Sequence, residues 1–140
     1  MESDVESAAR RAIEAINDRT LAARRRELLY PSIVRHDLAQ VFPDSHGTSG
    51  GAGFVGMILA AMPDLRLDVE DIFGVRDRAA VRLGMTGTHT GQPLLGRPAM
   101  GAKLSASAVF IYRFQGGRVA EAWQMVDGLA FYRLAGLLSG

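Results

Sequence analysis

The 140-residue sequence predicts a single α+β domain, residues 1–140, with helices first and an antiparallel sheet after them. Two observations indicate this class. Apolar residues recur at helical spacing in the first part of the chain, whereas residues 78–127 contain three long segments with the alternation of strands. Hairpin-type links containing glycine join these segments, which favours antiparallel pairing.

The first helix is predicted from a capping box, in which Ser3 would accept from the amide of Glu6 and the Glu6 side chain would reach back. The helix should extend to about Asn17. The apolar positions that repeat at helical spacing behind the cap are Val5, Ala8, Ala9, Ala12, Ile13 and Ile16.

Three more helices are expected. Residues 21–29 would form a second, ended by the proline at position 31, because a residue before proline avoids the α conformation. Residues 54–62 would form a third, ended by Pro63. An amphipathic segment at 129–138 predicts a short C-terminal helix.

Five segments are predicted as strands. Residues 33–37 and 65–72 form the shorter ones, and the long ones cover 78–89, 103–114 and 118–127. Alternation assigns their faces, since successive side chains of a strand point to opposite sides. On the last strand, Val119, Glu121, Trp123, Met125 and Asp127 should share the face opposite Ala120, Ala122, Gln124 and Val126.

Composition excludes several classes of protein. A net charge of +1 gives no reason to expect nucleic acid or an anionic membrane as a partner. The absence of cysteine removes disulfides, thiol nucleophiles and cysteine metal sites. The acidic N-terminus is unlike a secretory signal, and no apolar run approaches a membrane span, so a cytoplasmic protein is expected.

The punctuated strands from Arg78 to Asp127 resemble the SnoaL-like polyketide cyclases of the NTF2-like superfamily, and the resemblance covers nearly the whole chain. It implies a cone of three N-terminal helices packed on a curved antiparallel sheet, with a short C-terminal helix and an internal cavity. It also implies a homodimer formed through the sheet face of Trp123 and Met125; packing beneath a covering loop is the alternative for that face.

The resemblance also implies where a site would lie. The family carries its catalytic carboxylate at the position of Gln124 and a histidine at that of Phe110. The face that contains both would line the cavity and make it roomy and mostly apolar. Its residues, expected to bind substrate, are Ala108, Phe110, Tyr112, Ala122 and Gln124. Alternatively, the alanines accommodate a helix packed on the sheet.

Gln124 and His36 are the candidate catalytic residues. A glutamine amide does not accept a proton at useful pH, so Gln124 would act by donating hydrogen bonds; a buried glutamine satisfied by the backbone is the alternative. His36 is the candidate acid/base, expected at the cavity mouth beside Arg35, which would bind substrate. A surface or cap-forming histidine is equally consistent with the sequence.

The remaining polar candidates have structural alternatives. His89 is expected to bond the backbone where its strand ends. Asp127 is expected to cap the last helix or to bind substrate at the cavity rim. The glycine-rich stretch 47–53 lacks the pattern of a phosphate-binding loop, and no metal-ligand spacing is present, so neither a cofactor nor a metal is predicted.

The sequence therefore favours an enzyme that binds a polycyclic or polyketide-like small molecule in polyketide-type biosynthesis. By resemblance the reaction would be ring closure, or a neighbouring transformation such as isomerisation or hydration, performed without the family's usual Asp/His acid–base pair. A non-catalytic binding or accessory protein, hydroxylase-like in role, is the alternative. The sequence leaves open whether catalysis survives at Gln124.

Overall fold

The computed structural model describes residues 2–21, 27–36, 47–48 and 53–138. Three α-helices lie in this part of the chain: α1 (Asp4–Asn17), α2 (Gly53–Ala61) and α3 (Gly128–Leu134). The capping box of α1 is confirmed, because the amide of Ser3 donates to Glu6 Oε1 at 2.8 Å and the amide of Glu6 donates to Ser3 Oγ at 3.3 Å.

The predicted second helix, 21–29, falls mostly on residues 22–26, which lie outside the described residues. Its expected end is wrong, because Leu29 already begins a strand. A single 3₁₀ turn occupies Arg19–Leu21. Three helices before the sheet are therefore not established. No helix in the described ranges is long and apolar enough to cross a membrane.

Six strands of the described ranges form one sheet: β1 (Leu29–His36), β2 (Gly47–Thr48), β3 (Arg66–Val75), β4 (Arg78–Thr88), β5 (Lys103–Gln115) and β6 (Arg118–Val126). Their order across the sheet is β2-β1-β6-β5-β4-β3. All neighbours are antiparallel except β1 and β6, which pair in parallel. The predicted antiparallel sheet is therefore corrected to a mixed one, since β1 reaches β6 by a crossover rather than a hairpin.

One face of the sheet, called here the inner face, is buried against the helices. Alternate residues of β4 and β5 supply it, among them Val81, Leu83 and Phe110, which pack with Ile13 of α1 and Phe131 of α3 in one apolar core. The other face, called here the outer face, carries the charged residues of the same strands. Alternation thus separates a core from a solvated surface along each strand.

Helix α1 also binds the edge strand β3 through two polar side chains. Asn17 donates to the carbonyl of Leu67 at 2.8 Å and accepts from its amide at 2.7 Å. Glu6 accepts from the amide of Gly74 at 2.9 Å. These bonds satisfy backbone groups at a strand with a neighbour on one side only.

The turn after β4 closes on the C-terminal end of α2. The amides of Gly91 and Gln92 donate to the carbonyls of Ala61 and Ala60 at 2.9 and 3.0 Å. A Cβ at position 91 would lie 2.1 Å from the carbonyl oxygen of Ala60, so the close approach requires glycine. His89, which is buried, bonds the carbonyl of Gln92 through Nε2 at 2.7 Å, which confirms its predicted structural role.

Candidate functional site

A row of inner-face residues crosses three strands at the site. Ala122 of β6 lies opposite Arg35 of β1 on one side and opposite Tyr112 of β5 on the other. Gln124 follows two residues later on β6, opposite Phe110. Because Ala122 carries only a methyl group, it leaves space between the long side chains of Arg35 and Tyr112.

This space is part of a cavity with about 480 Å³ free of atoms, including its opening to solvent. Helix α1 and Val55 of α2 contribute to its wall together with β1, β5 and β6. Most lining side chains are apolar, as is typical of small-molecule sites. The described residues that line it are Ala12, Ile16, Leu28, Leu29, Ile33, Arg35, Val55, Tyr112, Val119, Ala122 and Gln124.

Gln124 is the most informative of these residues. It is 6% exposed, and within the part of the chain that the structure describes its side-chain amide makes no hydrogen bond to protein. Buried polar groups in folded proteins are nearly always paired, and leaving one unpaired costs about 1–3 kcal/mol. The amide therefore presents two donors and one acceptor to whatever occupies the cavity.

Four residues predicted at the site meet at the cavity, namely Arg35, Tyr112, Ala122 and Gln124. The predicted neighbours Ala108 and Phe110 share the inner face but do not line the described cavity. They lie further along β5, buried in the apolar core. In the structure this stretch of the face packs against other core side chains, and a role of these two residues in substrate binding stays a prediction.

Val119 lines the cavity although alternation predicts it on the face of Glu121. The reason is a bulge in β6, where Glu121 pairs with Arg113 and Val119 pairs with Phe114, so that Ala120 has no partner on β5. The extra residue reverses the alternation. No sequence signal in this strand marks the bulge.

Several apolar lining residues were not predicted at the site. Ala12 and Ile16 belong to the apolar stripe of α1, and their spacing of four residues could have indicated a shared surface. Leu28 and Leu29 lie where a helix was expected, so their contribution could not be found from the pattern. Ile33 could have been found by alternation, since it precedes Arg35 by two residues.

His36 is not at the cavity mouth, which corrects the expectation for this residue. It pairs with Trp123 in the β1–β6 register and lies with it on the outer face. The two rings are stacked with centroids 4.9 Å apart, and His36 Nε2 lies 2.7 Å from Glu121 Oε2. Neighbouring residues of a strand point to opposite faces, so the position that brings Arg35 to the cavity directs His36 away from it. Asp37 lies outside the described residues.

Glu121 bonds two partners on this outer face. Arg113 donates to its Oε1 at 2.9 Å, and His36 bonds its other oxygen. The hydrogen bond from Arg113, and after it the one from His36, holds the pKa of Glu121 below its usual range. Arg78 covers the Trp123 ring, with its Cζ 5.3 Å from the ring centroid.

Asp127 caps α3, as one of its two predicted roles states. Its carboxylate accepts from the amides of Leu129 and Ala130 at 3.1 and 3.4 Å. It does not line the described cavity, so the substrate-binding role expected for it is not supported. Across the described residues, no group of three or more His, Cys, Asp or Glu side chains could hold a metal ion.

Comparisons with solved structures give the architecture a context. AclR, a proposed hydroxylase from Streptomyces galilaeus, is 25% identical with a TM-score of 0.78, covering 98% of this chain and 87% of its own. A proposed polyketide cyclase from Acidithiobacillus ferrooxidans is 23% identical with a TM-score of 0.78, covering 99% of both chains. IdmH, a proposed polyketide cyclase from Streptomyces antibioticus, is 25% identical with a TM-score of 0.75, covering 96% of this chain and 99% of its own.

These similarities show that the chain has the NTF2-like fold. A search of the curated proteins gives no match. The model of one protein family, described as SnoaL-like polyketide cyclase, matches residues 6–133, which include every described strand and all of the described cavity wall. The chain therefore belongs to the SnoaL-like polyketide cyclase family.

Proposed function

We propose that the protein is an enzyme of polyketide-type biosynthesis that closes a ring in a small polycyclic substrate bound in the cavity. The observation that supports this function is the buried amide of Gln124, which has no hydrogen-bond partner in the described protein and lines an otherwise largely apolar cavity. A ligand with a carbonyl or hydroxyl group would supply the missing partner.

Ring closure by an aldol reaction joins an α-carbon to a carbonyl carbon, and the carbonyl oxygen becomes an alkoxide. An N–H of the Gln124 amide can donate to that oxygen as its negative charge develops. The described cavity wall contains no Asp, Glu or His. The α-proton would then pass to water at the cavity opening, and the alkoxide would be protonated from water.

In this proposal the protein contributes mainly by holding the substrate in a folded, reactive conformation. Apolar walls from α1, β1 and β6 would enclose the rings, while Gln124 fixes the carbonyl. Positioning of this kind can supply several kcal/mol of the barrier in intramolecular reactions. A substrate whose α-carbon is already acidic would need no strong base.

The test is a thermal-shift screen of the purified protein against polyketide-type ligands, with product analysis of each hit. We expect ligands that stabilise the protein to be turned over, and turnover to fall at least roughly tenfold in Gln124→Ala because a donor to the developing oxyanion is lost. Met125→Ala is the matched control, since Met125 is the next residue of β6 on the outer face. Unchanged turnover in Gln124→Ala would remove this residue from the mechanism.

A second candidate function is a non-catalytic binding or accessory protein with the same cavity. The absence of Asp, Glu and His side chains among the described lining residues favours it, and so does the likeness to a proposed hydroxylase. Stabilisation by a ligand without any product would support binding alone. A product that has gained one oxygen atom in the presence of a reductase would support the accessory role.

A homodimer formed through the outer face is also proposed. Phe73 and Val75, 60% and 70% exposed, and Met125 leave apolar surface on this face. Light scattering of Phe73→Lys against the wild type tests it, and an unchanged mass would contradict a dimer through this surface. The cytoplasmic location and the single domain over residues 1–140 stay predictions.

A further inference from the structure

We propose that the cavity selects a carboxylate-bearing substrate, which Arg35 binds through its guanidinium group. This inference rests on the proposed function and names the substrate class of the same site. It starts from the charges of the cavity wall. Among the described residues that line the cavity, Arg35 is cationic and none is a carboxylate.

A guanidinium is always charged in proteins, and it carries five N–H donors in a planar fork. It can therefore bind two oxygens of a ligand while it keeps another interaction with the protein. The fork matches a carboxylate in a bidentate arrangement, which a lysine ammonium does not reproduce. A half-buried arginine beside apolar walls thus gives the cavity a preference for an oxyanion.

The register of the strands separates Arg35 from the carboxylate of the facing strand. Glu121 of β6 pairs with Val34 and lies on the outer face, where Arg113 and His36 bond both of its oxygens. Arg35, one residue further along β1, lines the cavity beside Ala122. Glu121 is therefore bonded to other side chains, on the opposite side of the sheet from the cavity.

The remaining polar residues of the wall fit such a ligand. Tyr112 lies across Ala122 from Arg35, and Gln124 follows along β6, so the polar groups gather at one part of an otherwise apolar cavity. A ligand with a carboxylate at one end of a fused ring system would place its charge at Arg35. Its ring carbonyl or hydroxyl would then reach Gln124.

The test compares two probes with the same rings, 2-naphthoate and methyl 2-naphthoate, by isothermal titration calorimetry. We expect the wild type to bind the acid at least roughly tenfold more tightly than the ester, since a charge-assisted pair supports a difference of that order. Arg35→Gln should remove this preference by weakening the acid and leaving the ester unchanged. Arg35→Lys should retain only part of it.

Arg82→Gln is the matched control. It removes one positive charge from the outer face, where Arg82 pairs with Glu70, so it reports any general effect of net charge. A preference for the acid that persists in Arg35→Gln, or equal binding of acid and ester by the wild type, overturns the inference. If Arg35→Gln does not fold, the ratio of the affinities for acid and ester, measured for the wild type and for Arg35→Lys, still tests the inference.

The outcomes also separate this inference from the proposed function. Turnover of neutral polyketide-type substrates, together with equal binding of the two probes, would leave the enzyme proposal standing and exclude the carboxylate. If the protein binds neither probe and none of the ligands in the thermal-shift screen, both the carboxylate inference and the proposed function are overturned.

Discussion

The two faces of β6 use polar residues in opposite ways. On the outer face, Glu121 and Trp123 are engaged with protein: Arg113 and His36 bond the carboxylate, and the indole contacts both His36 and Arg78. On the inner face, Gln124 is more deeply buried, and its side-chain amide makes no hydrogen bond to protein in the described ranges. Unmet hydrogen-bonding capacity, rather than the presence of polar groups, distinguishes the candidate site from the surface.

This contrast has a physical basis in desolvation. A partly exposed ion pair loses little when a partner moves away, because water replaces the lost bond. A buried amide has no such replacement, and its cost remains in the folded state unless a ligand offsets it. Functional sites often retain polar groups that a purely structural core would exclude.

The largest expected effect comes from filling the inner face. Ala122→Leu adds three carbon atoms between Arg35 and Tyr112 and should close the cavity, weakening the binding of 2-naphthoate by more than roughly a hundredfold. Overpacking should cost about 1–3 kcal/mol of stability. Calorimetric titration measures the binding, and circular dichroism checks the fold.

Ala80→Leu is the control for this change. It makes the same substitution on the outer face of β4, between Phe73 and Ile111. We expect its affinity to equal that of the wild type. Equal affinities of Ala122→Leu and Ala80→Leu would mean that the ligand binds elsewhere.

An intermediate effect is expected from removing the unpaired amide of the inner face. Gln124→Leu replaces an unpaired buried amide by an apolar side chain of similar size, so the free energy of unfolding should rise by about 1 kcal/mol while turnover falls. Urea denaturation measures the gain. A loss of stability would show instead that the amide is satisfied within the protein.

The smallest effect is expected on the outer face. Glu121→Gln removes the charge that Arg113 and His36 share, and the melting temperature should fall by a few degrees at neutral pH with turnover unchanged. A change in turnover comparable to that of Gln124→Ala would contradict the separation of the two faces.

The pH dependence of this difference follows from the pKa of Glu121, which the hydrogen bonds of Arg113 and His36 hold below its usual range. Because the folded-state pKa is depressed, the stabilisation is present above the unfolded value and is lost as pH falls through the folded one. The melting temperatures of wild type and Glu121→Gln should therefore converge in acid. A difference that stays constant to the acid limit would exclude this origin.

Much of the fold was predictable because it follows local rules. The capping box fixed the start of α1, and alternation placed β4, β5 and β6 close to their observed bounds. Alternation also assigned Ala122 and Gln124 to one face. These features depend on residues near each other in sequence, which is why the pattern reports them.

The errors concern pairing between distant segments. The parallel pairing of β1 with β6 and the bulge at Ala120 depend on strand register, which one strand's pattern does not contain. The error at His36 concerns the face of a strand and not its pairing. Ile33 is buried, so the odd positions of β1 face inward and His36, at an even position, faces outward. Resemblance placed both Arg35 and His36 at the cavity, whereas alternation allows only one of these two neighbouring residues to face it.

The side chains by which α1 holds β3 bear on how the protein behaves in a crowded solution. An exposed edge strand is a template onto which another chain can add, and such addition leads to aggregation. Asn17 bonds both the amide and the carbonyl of Leu67, and Glu6 bonds the amide of Gly74. These backbone groups are therefore not available to a strand of another molecule. Helix α1 thereby protects the edge strand from amyloid-like growth. We expect concentrated Asn17→Ala to aggregate more than the wild type, which light scattering would measure.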